Sequence, residues 1–128
     1  MRLLLDTHAL IWWFLDEPNL SLAARTAIAA AGDPVYVSAV SAYEISNKVR
    51  LGRLPQAAAL DAAFEDFVIA QRFEPLPIAL RHAREAGALG IAHRDPFDRL
   101  LIAQSRLEDL VLVSNEAVFD GFGVRRLW

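Results

Sequence analysis

The 128-residue chain contains no cysteine, which excludes a disulfide framework, a thiolate nucleophile and a zinc site with cysteine ligands. It also has no apolar run near the roughly 20 residues needed to cross a bilayer. The stretch from Ala9 to Leu15 spans only seven residues. The residues after Met1 lack the apolar core of a secretory signal. These absences predict a cytoplasmic protein with no membrane association.

Lysine is almost missing as well. Lys48 is the only lysine among 13 basic residues, and the net charge is −3. This negative net charge argues against a protein that binds polyanions nonspecifically through a basic surface. Arginine binds phosphate well, so an acidic centre with arginines around its rim would still suit a nucleic-acid enzyme. The apolar content of 55% predicts a substantial core and leaves apolar surface for an interface.

Short apolar runs typical of strands alternate along the chain with segments typical of helices. Strands are predicted at 2–5, 35–38, 73–76, 110–113 and 124–128. Helices are predicted at 7–15, 21–31, 41–51, 55–71, 78–86 and 95–107, with a short one ending at Gly121. This alternation predicts an α/β fold with a central, mostly parallel sheet and helices on both faces. We expect a single domain spanning residues 1–128.

Acidic residues follow several of the predicted strands. Asp6 comes directly after the first strand, while Glu44 and Glu116 come shortly after the second and fourth. Asp95 and Asp98 open the helix that leads into the fourth strand. Because the carboxyl ends of parallel strands meet at one edge of a sheet, we expect these acids to converge. Clustered carboxylates repel one another without a cation, and oxygen ligands favour Mg²⁺ or Mn²⁺. Such a site suits phosphodiester hydrolysis by metal-activated water.

Each acid also has a purely structural interpretation. Asp6 and Asp95 are typical helix N-caps, and Ser41 with Glu44 matches a capping box. Acids in a first helical turn stabilise the helix dipole. Taken singly, these structural interpretations are favoured; the joint placement of the acids favours a shared metal site.

Four motifs in this order resemble those of the PIN-domain family, and of VapC-type toxins within it. They are Leu3-Leu4-Leu5-Asp6-Thr7-His8, Ser38-Ala39-Val40-Ser41-Ala42-Tyr43-Glu44-Ile45, His93-Arg94-Asp95-Pro96-Phe97-Asp98-Arg99-Leu100-Leu101-Ile102-Ala103-Gln104 and Leu112-Val113-Ser114-Asn115-Glu116. The ending from Phe122 to Trp128 is similar too, so the resemblance covers essentially the whole chain. It implies a PIN-like α/β fold and a Mg²⁺-dependent endoribonuclease, the toxin of a VapBC-type toxin–antitoxin pair. It also implies RNA as substrate, a homodimer, and a VapB-like antitoxin whose arginine or lysine enters the acidic pocket.

Carried over by position, the resemblance assigns roles to the acids. Asp6 and Asp98 would be the principal metal ligands, and Glu44 would bind metal or orient the attacking water. Glu116 stands where the family usually has aspartate, so it would hold metal only through water, or a second metal would bind weakly. Asp95 is an additional acid that would cap its helix, assist the metal, or do both.

Neighbouring polar residues complete the predicted site. We expect the hydroxyls of Thr7, Ser38 and Ser41 to hydrogen-bond to the carboxylates, an arrangement that metal sites commonly need. Possible RNA contacts are Lys48, Arg94 and Arg99. Lys48 is equally suited to an ion pair with Glu44 four residues earlier on the same helix face. His8 and His93, beside Asp6 and Asp95, suit packing more than proton transfer.

The helix that carries Trp12, Trp13 and Phe14 is apolar on every face. One side should meet the sheet, and the other should meet either a partner or the rest of the domain.

Three other functions are compatible with a chain of this length and fold class. A receiver-like phospho-acceptor domain needs paired acids after strand one and a lysine after a late strand, but this chain has only Asp6 there and its only lysine is Lys48. A haloacid-dehalogenase-type phosphatase needs a second aspartate two residues after Asp6, where this chain has His8. A catalytically silent binding module on the same fold stays open because of Glu116.

Overall fold

The computed structural model describes residues 1–128 and contains one sheet of five strands together with seven α-helices. The strands are β1 (Leu3–Leu5), β2 (Val35–Ser38), β3 (Glu74–Leu76), β4 (Val111–Val113) and β5 (Arg125–Leu127). The helices are α1 (Thr7–Leu15), α2 (Leu22–Ala29), α3 (Ala39–Arg50), α4 (Ala58–Ala62), α5 (Phe64–Ala70), α6 (Leu80–Ala88) and α7 (Pro96–Leu107). All strand pairs are parallel, in the order β3-β2-β1-β4-β5. The predicted α/β fold with a parallel sheet is confirmed.

Helices cover both faces of this sheet. Successive side chains of a strand point to opposite faces, and in β1 Leu3 and Leu5 join one apolar cluster while Leu4 joins another. The first cluster includes buried residues of α1 to α5. The second includes Leu101 and Ile102 of α7 together with Val40 of α3. The central strands β1 and β4 are therefore buried on both sides, which explains why their sequences are continuous apolar runs.

The register of the central strands decides which residues share the carboxyl edge. Leu5 is paired with Val37 of β2 and with Val113 of β4. The residues that follow these three positions, Asp6, Ser38 and Ser114, therefore lie side by side. The direction of the chain crossovers reverses beside β1, and a crevice at such a point is where open α/β sheets bind ligands.

Two predicted helices differ from the observed ones. The single helix expected over 55–71 is wrong: a 3₁₀ turn (Pro55–Ala57), α4 and α5 take its place, with a break at Ala63. Leu60 of α4 and Val68 of α5 are nonetheless buried in the same apolar cluster. Helix α3 begins earlier than predicted, because the Ser38 hydroxyl caps it by accepting from the Val40 amide at 3.0 Å.

The aromatic residues of α1 find partners within the chain. Trp12 contacts Trp128 with ring centroids 5.8 Å apart, and Phe14 packs edge-on against Phe67 at 5.0 Å. The indole N–H of Trp13 donates to the side chain of Gln71 at 2.9 Å. The sequence predicts that this helix contacts either a partner or the rest of the domain, and packing within the domain accounts for the contacts of these three rings. None of the helices has the length and apolar character needed to cross a bilayer.

Candidate active site

A cavity of about 160 Å³ opens at the carboxyl edge of the sheet. Its lining contains all five acids singled out in the sequence and a single wholly apolar side chain. The lining residues are Asp6, Thr7, His8, Glu44, Lys48, Asp95, Asp98, Leu101 and Glu116. Acids separated by up to 110 positions in the chain thus share one small cavity.

Asp6 is the most deeply buried of these acids, with 5% of its surface exposed. It caps α1, since its Oδ1 accepts from the Ala9 amide at 2.8 Å. Burial raises the pKa of Asp6 to about 6 against the lowering effects of the Ser114 hydroxyl, the Ala9 amide and His8, and the charge of Glu116 raises it further. A carboxylate in this position is stabilised by either a proton or a cation.

Asp98 has a similar environment on the other side of the cavity. Burial raises its pKa, with smaller contributions from the charges of Asp95 and Glu116. His93 opposes this through a hydrogen bond between its Nε2 and Asp98 Oδ2 at 2.7 Å. Asp95 caps α7 as predicted, because its Oδ1 accepts from the backbone amides of Phe97 and Asp98 at 2.8 and 3.3 Å.

Glu44 and Lys48 form the ion pair that their spacing predicts, at 2.7 Å. The pair lies in the cavity wall, where the Glu44 side chain is 12% exposed and that of Lys48 is 35% exposed. Lys48 is thus the one amine facing five carboxylates. Glu116 is held through its backbone, whose N–H donates to the Ser114 hydroxyl at 3.0 Å, and its carboxylate makes no hydrogen bond or ion pair within the chain.

Of the three predicted hydroxyls, only that of Thr7 belongs to a residue lining the cavity, and none of the three hydrogen-bonds to a carboxylate of the site. Thr7 and Ser41 bond to each other at 3.0 Å. Ser38 donates to the side-chain oxygen of Gln104 at 2.5 Å. The prediction that they bind the carboxylates is therefore corrected, because the earlier start of α3 turns Ser38 into its cap and directs Ser41 toward Thr7.

Sequence reasoning missed Ser114 as a partner of Asp6. Ser114 is fully buried, and its hydroxyl lowers the pKa of Asp6. The signal was available, since Ser114 follows β4 as Asp6 follows β1. Parallel pairing of those two strands places the two residues together.

Arg99 does not face the cavity as an RNA contact. All five of its N–H groups point to backbone carbonyls in the segment from Ala86 to His93, at distances between 2.7 and 3.5 Å. The prediction for Arg99 is corrected, because a guanidinium with all its donors engaged has none left for phosphate. Arg94 is exposed and forms no ion pair, so its predicted role remains open to test.

The donor chemistry of the cavity fits a hard divalent cation. Its potential ligands are carboxylate oxygens, which Mg²⁺ and Mn²⁺ prefer, and the raised pKa values of Asp6 and Asp98 reflect negative charge confined in a buried place. The side chains do not form a closed cage, since no three acidic or histidine side chains surround one point. The residues that could hold a cation are Asp6, Glu44, Asp95, Asp98 and Glu116.

A family model for the PIN domain matches residues 3–124. No curated protein shows significant sequence similarity to the chain. Among solved structures, FitAcB from Neisseria gonorrhoeae is similar with a TM-score of 0.68 and 19% identity, covering 98% of this chain and 96% of that one. VapBC2 from Rickettsia felis, bound to a DNA fragment from its promoter, gives a TM-score of 0.67 at 15% identity, covering 98% and 97%.

A toxin–antitoxin complex from Klebsiella pneumoniae is also similar, with a TM-score of 0.61 and 18% identity, covering 89% of this chain and 86% of that one. At these sequence identities the three structures support the fold only, and any chemical activity must be argued from the residues of the site.

Proposed function

The chain belongs to the PIN domain family, and we propose that it is a Mg²⁺-dependent endoribonuclease that acts as the toxin of a VapBC-type toxin–antitoxin pair in the cytoplasm. Mn²⁺ is a plausible substitute for Mg²⁺ because it prefers the same oxygen ligands. One observation carries the proposal: five carboxylates line a single cavity at the carboxyl edge of the parallel sheet. Raised pKa values at Asp6 and Asp98 support it further.

In this proposal Asp6 and Asp98 hold the cation, with Glu44, Glu116 and Asp95 as further ligands or as acceptors for its water. A divalent cation supplies an activated water and stabilises the leaving oxygen of a phosphodiester. His93 engages Oδ2 of Asp98, which fixes that carboxylate and leaves Oδ1 without a side-chain hydrogen bond. The backbone contacts of Asp6 and Asp95 fix two more carboxylates on the ends of α1 and α7.

The cationic side chains at the rim suit the phosphates of RNA. Lys48 lies in the cavity wall, and Arg94 is exposed in the segment just before Asp95. We propose that both contact phosphates next to the bond that is cut. When the Glu44 carboxylate binds a cation, Lys48 leaves its ion pair with Glu44 and binds a phosphate instead. Such contacts position a strand without reading its sequence.

Two protein partners belong to the same proposal, a VapB-like antitoxin and a second copy of the chain. One structure similar to this one is described as a toxin–antitoxin complex and another as VapBC2, which supports the first. An apolar groove of about 470 Å³ between α3, α5 and β3, with Ile69 71% exposed at its side, supports a protein contact. An antitoxin arginine or lysine entering the acidic cavity would neutralise it. Light scattering of the chain alone tests the homodimer, since a monomeric mass would contradict it.

The decisive test is an RNA digestion with Mg²⁺ or with EDTA, using the unsubstituted chain, Asp6→Asn, Asp98→Asn and Asp66→Asn. Asp66 is an exposed acid on α5, outside the cavity, and serves as the control. We expect cleavage by the unsubstituted chain and Asp66→Asn with Mg²⁺, and none by the other two or with EDTA. Equal activity in every arm would contradict the metal site. Folded protein that cleaves no RNA under any condition would favour the silent binding module instead.

Growth arrest on expression tests the toxin role separately. Arrest should be relieved by a co-expressed antitoxin and should be absent with Asp98→Asn. Harmless expression at high level would contradict the toxin role without contradicting the nuclease chemistry.

A further inference from the structure

Tyr43 is the only aromatic residue among the exposed large hydrophobic side chains, with 62% of its surface accessible. The tryptophans and phenylalanines are at least partly buried. Tyr43 directly precedes Glu44 on α3, and its ring contacts that of Phe97, with centroids 5.6 Å apart and planes tilted by 43°. Phe97 directly precedes Asp98 on α7. The exposed ring is therefore fixed beside two of the acids that line the cavity.

The helix face that carries Tyr43 continues away from the cavity as a polar surface. Tyr43, Ser46, Asn47 and Arg50 have the spacing of one face of an α-helix, and together they line a shallow depression of about 230 Å³. We call these four residues the α3 face. One aromatic ring is thus combined with a hydroxyl, an amide and a guanidinium, an arrangement unlike the apolar groove beside β3.

Arg50 of the α3 face has no acidic partner. One of its N–H groups donates to the side-chain oxygen of Asn47 at 2.7 Å, and no carboxylate lies within ion-pairing distance. Some exposed arginines, such as Arg81 and Arg125, are paired with acids, whereas Arg84 and Arg94 are unpaired like Arg50. A neutral amide therefore orients the guanidinium and leaves its charge uncompensated, which suits an anionic group outside the chain.

We propose that the α3 face is a binding site for a nucleotide of single-stranded RNA that flanks the cleaved bond, in which Tyr43 stacks on the base and Arg50 binds a phosphate. This inference rests on the proposed function and names a binding site for its substrate. Aromatic rings accept any base on their π face, and arginine contacts the backbone without reading sequence. The target is single-stranded because a base must leave its neighbours to stack on a protein ring.

The test measures RNA binding with cleavage switched off. Each variant is built in the Asp98→Asn chain, and the probe is a single-stranded oligoribonucleotide containing 2-aminopurine, whose fluorescence falls when the base stacks. We expect quenching with Tyr43 and Tyr43→Phe. With Tyr43→Leu we expect quenching to be lost and binding to weaken about tenfold, equivalent to about 1.4 kcal/mol. An abasic nucleotide at the stacking position should weaken binding to the Tyr43 chain but have no further effect in Tyr43→Leu.

Arg50→Gln tests the phosphate contact against a matched control, Arg84→Gln. Arg84 is an exposed arginine on α6 that also lacks an ion pair. One phosphate contact changes the slope of log K against log salt by about 0.7 for a single strand. We expect the slope to fall by about this amount with Arg50→Gln and to stay unchanged with Arg84→Gln.

Unchanged quenching and affinity in a folded Tyr43→Leu chain would overturn the inference. So would equal salt slopes for Arg50→Gln and Arg84→Gln. If the unsubstituted chain cleaves RNA while these variants bind normally, the inference alone fails. If the chain neither cleaves nor binds RNA, the proposed function fails and the inference fails with it.

Discussion

Asp6→Asn should stabilise the metal-free protein at neutral pH, although it removes a central residue of the site. Asparagine caps a helix as well as aspartate does, so the contact with the Ala9 amide is preserved. What changes is the charge. The pKa of Asp6 is raised from 3.8 to about 6 in the folded chain, which corresponds to about 3 kcal/mol in favour of the neutral form.

The sign of the effect depends on pH. Between about pH 4 and pH 6 the folded chain holds a proton on Asp6 that the unfolded chain has released, so the free energy of unfolding falls as the pH rises. Below this window Asp6 is neutral in both states, and the two proteins should be equally stable. Above about pH 6 Asp6 is ionised in both states, and the unsubstituted chain is destabilised by the full free energy of holding that charge in a buried position. The advantage of Asp6→Asn should therefore grow from near zero at pH 4 to about 3 kcal/mol at pH 8, or roughly 10 °C in melting temperature.

The assay is urea denaturation in EDTA at several pH values, with Asp66→Asn as the control. Asp66 is exposed and unpaired in the first turn of α5, so removing its charge should lower the free energy of unfolding by at most about 1 kcal/mol, opposite in sign to the effect of Asp6→Asn. Adding Mg²⁺ should stabilise the unsubstituted chain and leave Asp6→Asn nearly unchanged. If Asp6→Asn is no more stable than the unsubstituted chain at pH 8 in EDTA, the reasoning about a buried and uncompensated charge is refuted.

Three further predictions concern residues around the cavity. Arg99→Gln should lower the free energy of unfolding by about 3 kcal/mol in urea denaturation, because several backbone carbonyls lose charged hydrogen-bond donors. It should also speed amide hydrogen exchange over residues 87–93, and unchanged exchange there would contradict this prediction. Gln104→Leu should lower the free energy of unfolding by about 2 kcal/mol, since buried Gln104 bonds to Ser38 and to the Pro77 carbonyl; an unchanged melting temperature would argue against it. Ser114→Ala should raise the pKa of Asp6 above its value in the unsubstituted chain, as followed by carboxyl NMR, whereas a lower pKa would contradict the assigned hydrogen bond.

Much of the fold could be predicted because its signals are local. Apolar runs bounded by turn residues mark β2 and β4, and the Asp95-Pro96 pair marks the start of α7. The convergence of the acids needed only one further step, since parallel pairing of β1 with its neighbours brings Asp6 and Glu116 to the same edge.

Other features depend on tertiary geometry that no local pattern carries. An alanine-rich segment favours one long helix over 55–71, and no local signal in it marks the non-helical backbone that Ala63 adopts between α4 and α5. The hydroxyl directions of Thr7 and Ser41 depend on where α3 begins. Arg99 looks like a phosphate ligand in the sequence, and only the path of the chain from the end of α6 to His93 places five carbonyls around it.

The central claim, that the carboxylates share a divalent cation, is tested most directly by an anomalous difference map from a crystal soaked in Mn²⁺. We predict a peak within ligating distance of Asp6 and Asp98, and no peak there in a crystal of Asp98→Asn. If the unsubstituted chain shows no anomalous peak at the cavity and binds Mn²⁺ only elsewhere, the claim that these carboxylates share a divalent cation is contradicted.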